Sequence, residues 1–108
     1  DNSVLMFAFM NDQALTACRQ TGFVHLWSRS RQKLWKKGET SGETLKIVAI
    51  KTDCDQDALL IEALPQGRGA TCHTGRRSCF YRTLDLETGS LQSHDDNRLF
   101  DPNEIYGS

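Results

Sequence analysis

Only one stretch of this chain carries the signals of a helix, and it is short: NDQALTACRQTG, residues 11 to 22. Asn11 can cap its start, Asp12 sits in the first turn where the helix dipole favours negative charge, and Gly22 suits the left-handed residue that ends a helix. Ala14, Leu15 and Cys18 then share one face, so Cys18 reads as a small core residue. The rest is extended or turn. VLMFAFM (Val4 to Met10) reads as a buried strand, and FVHLWSRSR sets Val24 and Leu26 against Phe23, His25 and Trp27 in strand alternation. KLWKKGETSGETLKIVAIKTDCD holds two more extended stretches about a Gly/Thr/Ser turn, and ALLIEAL is a further apolar strand. After the turn PQGRG, ATCHTGRRSCFYR reads as a loop leading into a short strand, and LETGSLQSHDDNRLFDPNEIYGS reads as an irregular tail. With no internal repeat or linker, the expected fold class is α+β, a small strand-dominated domain with one clear helix.

A chain of 108 residues hides only somewhat over ~60% of its unfolded surface on folding, so a partner subunit would add stability. Hydrophobic residues make up 38%, charged residues 25%, and the net charge is −1. That balance excludes a disordered tail and a broad nucleic-acid or anionic-membrane surface, so any anion must be held locally. No apolar run approaches the ~18 to 20 residues of a membrane span, and the first residues lack the features of a signal peptide, so a cytoplasmic location is expected. The four cysteines, Cys18, Cys54, Cys72 and Cys79, are then expected to be reduced and either buried, catalytic or metal-bound.

Three carboxylates crowd KTDCDQDALL. If residues 53 to 57 are extended, Asp53, Asp55 and Asp57 share one face, roughly 6 to 7 Å apart, and repel one another unless a cation sits among them. Hard oxygen ligands suit Mg²⁺ or Ca²⁺. An EF-hand is excluded, because Ala58 and Leu64 stand where its glycine and glutamate belong. A solvated acidic edge that discourages strand aggregation stays open.

Cys72 and Cys79 in CHTGRRSC are too widely spaced for a zinc-ribbon knuckle, and with Cys18 on the helix face only Cys54 remains as a third ligand. Three thiolates leave a fourth position for water, as catalytic zinc does, and the metal lowers that water's pKa. Reduced metal-free thiols and a Cys72 to Cys79 disulfide stay open. His73 adjoins a ligand and could shuttle protons. Arg76 and Arg77 in the same loop, and Arg29, Arg31 and Lys33 in SRSRQK, form two basic clusters suited to phosphate oxygens. Trp27 or Trp35 could stack on a base or serve the core, and GETSG could be an anion-binding nest or a plain turn. Alternation points Cys54 away from its neighbouring aspartates, so two metal centres on one strand would face two walls. A site assembled between subunits satisfies that.

Taken in order, WSRSRQKLWKKGETSGETL, DCDQDALL and CHTGRRSCFYR closely resemble the phosphoribosyl-AMP cyclohydrolase family of histidine biosynthesis, over about Val4 to Arg82. The resemblance implies Mg²⁺ on Asp53, Asp55 and Asp57, Zn²⁺ on Cys54, Cys72 and Cys79, and an intertwined homodimer that shares zinc between subunits. It implies hydrolysis of the N1–C6 bond of the adenine ring of 1-(5-phosphoribosyl)-AMP, with ring N1 leaving and no ammonia released. His73 is expected to relay protons, and Arg29, Lys33, Arg76 and Arg77 to contact substrate phosphate. Residues 1–84 are expected to form the cyclohydrolase domain, lacking a further N-terminal segment that relatives carry, with 85–108 as an irregular C-terminal tail. Two rivals are a non-catalytic zinc-stabilised nucleotide-binding module and a base deaminase. The second lacks the H-x-E and P-C-x-x-C signature expected of it.

Overall fold

Helix α1 spans Asp12–Thr21, where the capping signals put it. The Asn11 side chain accepts from Ala14 N–H at 2.9 Å, and Gly22, at φ 79°, ends the helix. Ala14 and Cys18 are fully buried. The Cys18 sulfur accepts from His25 N–H at 3.1 Å, which fastens the helix to the strand that follows. These details come from a computed structural model that describes residues 1–106, so the last two positions of the expected tail lie outside the described residues.

Among the described residues six strands follow: β1 (His25–Ser28), β2 (Lys33–Lys36), β3 (Leu45–Thr52), β4 (Leu59–Pro65), β5 (Arg82–Leu84) and β6 (Leu91–Ser93). They pair as three successive antiparallel hairpins, with Leu26 opposite Trp35 and Ile50 opposite Ile61. The first two hairpins are tied together ahead of β1, where Val24 N–H donates to Leu45 O at 3.0 Å and Ile47 N–H to Gly22 O at 2.8 Å. A bulge between Ile47 and Ala49 leaves Val48 exposed. Val24, Leu26 and Leu45 form the buried centre, with Leu5, Met6 and Trp35 packed partly against it.

Three expectations change here. Val4 to Met10 is not a buried strand: its carbonyls serve different elements, Phe9 O accepting from Trp27 N–H and Leu5 O from Cys79 N–H, both at 2.8 Å. No single neighbour runs beside it for long enough to form a ladder, and Val4 and Phe7 are exposed. Residues 53 to 57 are not extended either. They make the turn between β3 and β4, with Gln56 left-handed at φ 63°. Within the segment read as an irregular tail lie β6 and a short helix, α2 (Pro102–Tyr106), and Phe100 is buried.

Candidate active site

The β3–β4 turn draws the aspartates closer than an extended strand would. One carboxylate oxygen each from Asp53, Asp55 and Asp57 lies within 4.8 Å of the others. Oxygens on an octahedral Mg²⁺ at ~2.1 Å are about 3 to 4 Å apart, so the donor set fits a hard divalent cation. Asp53 also holds the turn, accepting from Asp57 N–H and Ala58 N–H, both at 3.1 Å. Those backbone donors, led by Ala58, lower the Asp53 pKa, whereas hydrogen bonding to Asp55 and Asp53 raises that of Asp57.

The second cluster sits on the loop after β4. Its backbone closes tightly, Cys72 N–H donating to Arg76 O at 3.0 Å and Gly75 N–H to Cys72 O at 2.9 Å. Thr74 Oγ1 donates to the Cys72 sulfur at 3.1 Å, and the buried Thr71 hydroxyl has no hydrogen-bond partner among the described residues. Cys72 and Cys79 are neighbours. The Cys79 thiol is pushed up to about 11, first by burial and then by Cys72, with Lys37 opposing. Part of Cys79 is exposed, but the protein packed round its sulfur is enough to penalise the thiolate. All four cysteines are free. Cys54 is exposed on the β3–β4 turn. Among the described residues it does not converge with Cys72 and Cys79, since the aspartates are the one group of three metal-ligating side chains within 4.8 Å. One chain therefore brings two of the three predicted sulfurs together.

Sequence reasoning passed over two residues near this loop. Lys37, just past β2, is 8% exposed, and burial lowers its pKa against the pull of Cys79, Cys72 and Glu43. It lies on the Trp35 side of the strand alternation, the one signal that could have found it, and its ammonium is 5.9 Å from the Trp35 ring centroid. Glu43 is 2% exposed and gathers the turn that leads to Cys72. It accepts from the backbone N–H groups of Arg68, Gly69 and Ala70 at 2.9, 3.0 and 3.2 Å and from Arg68 Nε at 2.7 Å.

Trp35 also lines a cleft of about 890 Å³, whose walls include Phe7, Phe9 and Trp27 and whose rim carries Arg29, Arg31 and Lys33 from the β1–β2 turn. The Arg29 guanidinium lies 4.4 Å over the Phe9 ring. The other predicted phosphate contacts are elsewhere. Arg77 is exposed and pairs with Asp1, while Arg76 is 9% exposed with its guanidinium held by residues 81, 95 and 96. His73 is exposed beside Cys72. The GETSG segment is a closed turn between unpaired strands, Gly42 N–H donating to Gly38 O at 2.8 Å. No helix among the described residues is long and apolar enough to cross a membrane.

Residues 6–81 match the family model described as phosphoribosyl-AMP cyclohydrolase. A protein of that name from Rhizobium etli (strain CIAT 652) is 56% identical over 109 residues, covering 99% of this chain and 73% of the relative. Proteins of the same name from Agrobacterium fabrum and Chelativorans sp. are 50% identical over 110 residues and 57% over 89, covering 73% and 64% of their own lengths. The paired thiols, the acidic turn and the aromatic cleft thus sit in a chain that belongs to the phosphoribosyl-AMP cyclohydrolase family.

Proposed function

We propose that this enzyme hydrolyses the N1–C6 bond of the adenine ring of 1-(5-phosphoribosyl)-AMP in the cytoplasm. In this reading it works as a homodimer, with Zn²⁺ on Cys54, Cys72 and Cys79 and Mg²⁺ on Asp53, Asp55 and Asp57. Residues 1–84 form the catalytic domain and 85–108 its C-terminal tail. The observation that carries the reading is adjacency: the buried Lys37 feels the charge of both Cys72 and Cys79, and its ammonium is 5.9 Å from the ring of Trp35, a wall of the base-rimmed aromatic cleft.

Trp27 and Trp35 offer faces to a purine, and Arg29 and Lys33 on the rim offer donors to phosphate oxygens. Arg77 is a further candidate, since its exposed pairing with Asp1 is exchangeable. Cys54, Cys72 and Cys79 would hold a metal that lowers the pKa of a bound water toward neutrality, and Asp53, Asp55 and Asp57 would hold one that offsets phosphate charge. Lys37, in its protonated form, places a cation near the sulfurs, suited to charge that develops on the attacked ring. His73, next to Cys72, carries a proton to the departing N1. Cys54 comes from a second copy of the chain. Supporting that copy are the exposed Phe7, Val48, Leu60 and Leu64, each more than half exposed on a chain this small.

With phosphoribosyl-AMP as substrate, the protein is expected to open the ring and release no ammonia. Stoichiometric ammonia would identify a deaminase and overturn the reading. In the same assay, Asp55→Asn is expected to raise the Mg²⁺ concentration needed for half-maximal turnover on the order of tenfold, because one anionic ligand of three is lost. An unchanged requirement would remove the aspartates from the account.

A further inference from the structure

The loop that carries Cys72 and Cys79 is held from outside by a segment beyond the family-matched residues 6–81, namely Asp95 to Phe100. Leu99 N–H donates to Gly75 O at 2.7 Å, and Arg76 Nε donates to Asp95 O at 3.1 Å. The same guanidinium lies 4.0 Å over the Tyr81 ring and 3.5 Å from the Asp96 carboxylate. Phe100 is 6% exposed and carries the Arg68 guanidinium 4.7 Å above its ring. Contact at Gly75 is close enough to exclude a side chain: φ is +92°, and an added Cβ would stand 2.3 Å from Phe100 O.

Gly75 and Arg76 are also the residues whose backbone bonds to Cys72. A displacement of the segment therefore passes directly to a proposed metal ligand. Arg68 extends the same support, since its Nε and N–H bind Glu43 while its guanidinium covers Phe100.

We propose that Asp95–Phe100 is a strap that positions the thiol loop for metal, with Phe100 and Arg76 as positioning residues and Arg76 committed to the strap instead of to substrate phosphate. This rests on the thiol-site reading above. Supports around metal ligands typically contribute 10- to 100-fold in affinity, because they fix the orientation in which a ligand is offered.

The test uses the full chain with Phe100→Ala, Phe100→Leu and Arg76→Gln. Zinc affinity is read by chelator competition, thiol accessibility by iodoacetamide labelling of the metal-free protein mapped by peptide mass, and substrate recognition by KM. Phe100→Ala is expected to weaken zinc roughly 10- to 100-fold and to speed labelling of Cys72, while Cys18 in the core stays protected and reports an intact fold. Phe100→Leu, which still fills the site, is expected to restore most of both. Arg76→Gln is expected to lose zinc affinity with KM unchanged.

Unchanged zinc affinity and Cys72 labelling in Phe100→Ala would overturn the strap, as would an Arg76→Gln variant in which only KM rises. If Cys18 is labelled as well in Phe100→Ala, the leucine and glutamine variants decide by the same criteria. Should the unmodified protein bind no zinc, the metal reading fails separately. Cys72 labelling then decides the strap alone, faster in Phe100→Ala supporting it and equal rates refuting it.

Discussion

Replacing Cys72 or Cys79 by serine should abolish zinc binding and reduce ring opening by about a thousandfold or more, whereas Cys18→Ser should leave both intact. A metal that polarises water contributes several kcal/mol at the transition state, and each ~1.4 kcal/mol is a factor of ten in rate. Cys18 controls for the loss of a thiol as such. It is 1% exposed, and its sulfur exchanges hydrogen bonds with the His25 backbone that a hydroxyl can reproduce. Zinc content and turnover of the three purified variants check this directly. Equal losses in all three would refute the thiol assignment, because the common factor would then be folding.

The second large effect concerns stability. Glu43→Ala should cost about 3 kcal/mol, the lower end for breaking a buried ion pair because Arg68 is itself partly exposed. Most of that loss comes from the backbone donors of Arg68, Gly69 and Ala70, which are left without their acceptor. Glu43→Gln retains one acceptor oxygen and should fall between. On a domain with a total stability of ~5 to 15 kcal/mol, the alanine variant should unfold at visibly lower denaturant. A shift corresponding to less than ~0.5 kcal/mol would mean that this carboxylate does not fasten the turn.

Local signals carried a good part of this structure. Asn11 and Gly22 bound α1 because caps act through neighbouring backbone groups, and alternation at Val24 and Leu26 reports a face that is in fact buried. The residues that needed distant partners were less legible. GETSGE contains two glutamates of equal local character, and Glu43 becomes the buried one only because the Arg68 turn, twenty-five residues away, closes over it. Val4 to Met10 has the composition of a core strand, yet its hydrogen-bond partners come from β1 and from the thiol loop.

The aspartates show a third kind of limit. Alternation assumed an extended backbone, and the left-handed Gln56 makes a turn there, which gathers the carboxylates more tightly than a strand could. The inference that Cys54 must face another wall loses its geometric basis with that assumption, although Cys54 still lies apart from the thiol pair. Arg76 reads as a free cation next to Arg77. Its burial depends on Tyr81 and on Asp95 and Asp96, in a segment whose polar composition gave no sign of packing.

Mixing two inactive chains tests the proposed intersubunit site most directly. A Cys54→Ser chain retains Cys72 and Cys79, and a Cys72→Ser chain retains Cys54, so a mixed dimer contains one complete set of sulfurs out of two. After co-refolding in equal amounts, random pairing should return about a quarter of the unmodified activity, since half the dimers are mixed and each has one working site. A mixture as inactive as either parent would contradict a site completed by the second subunit.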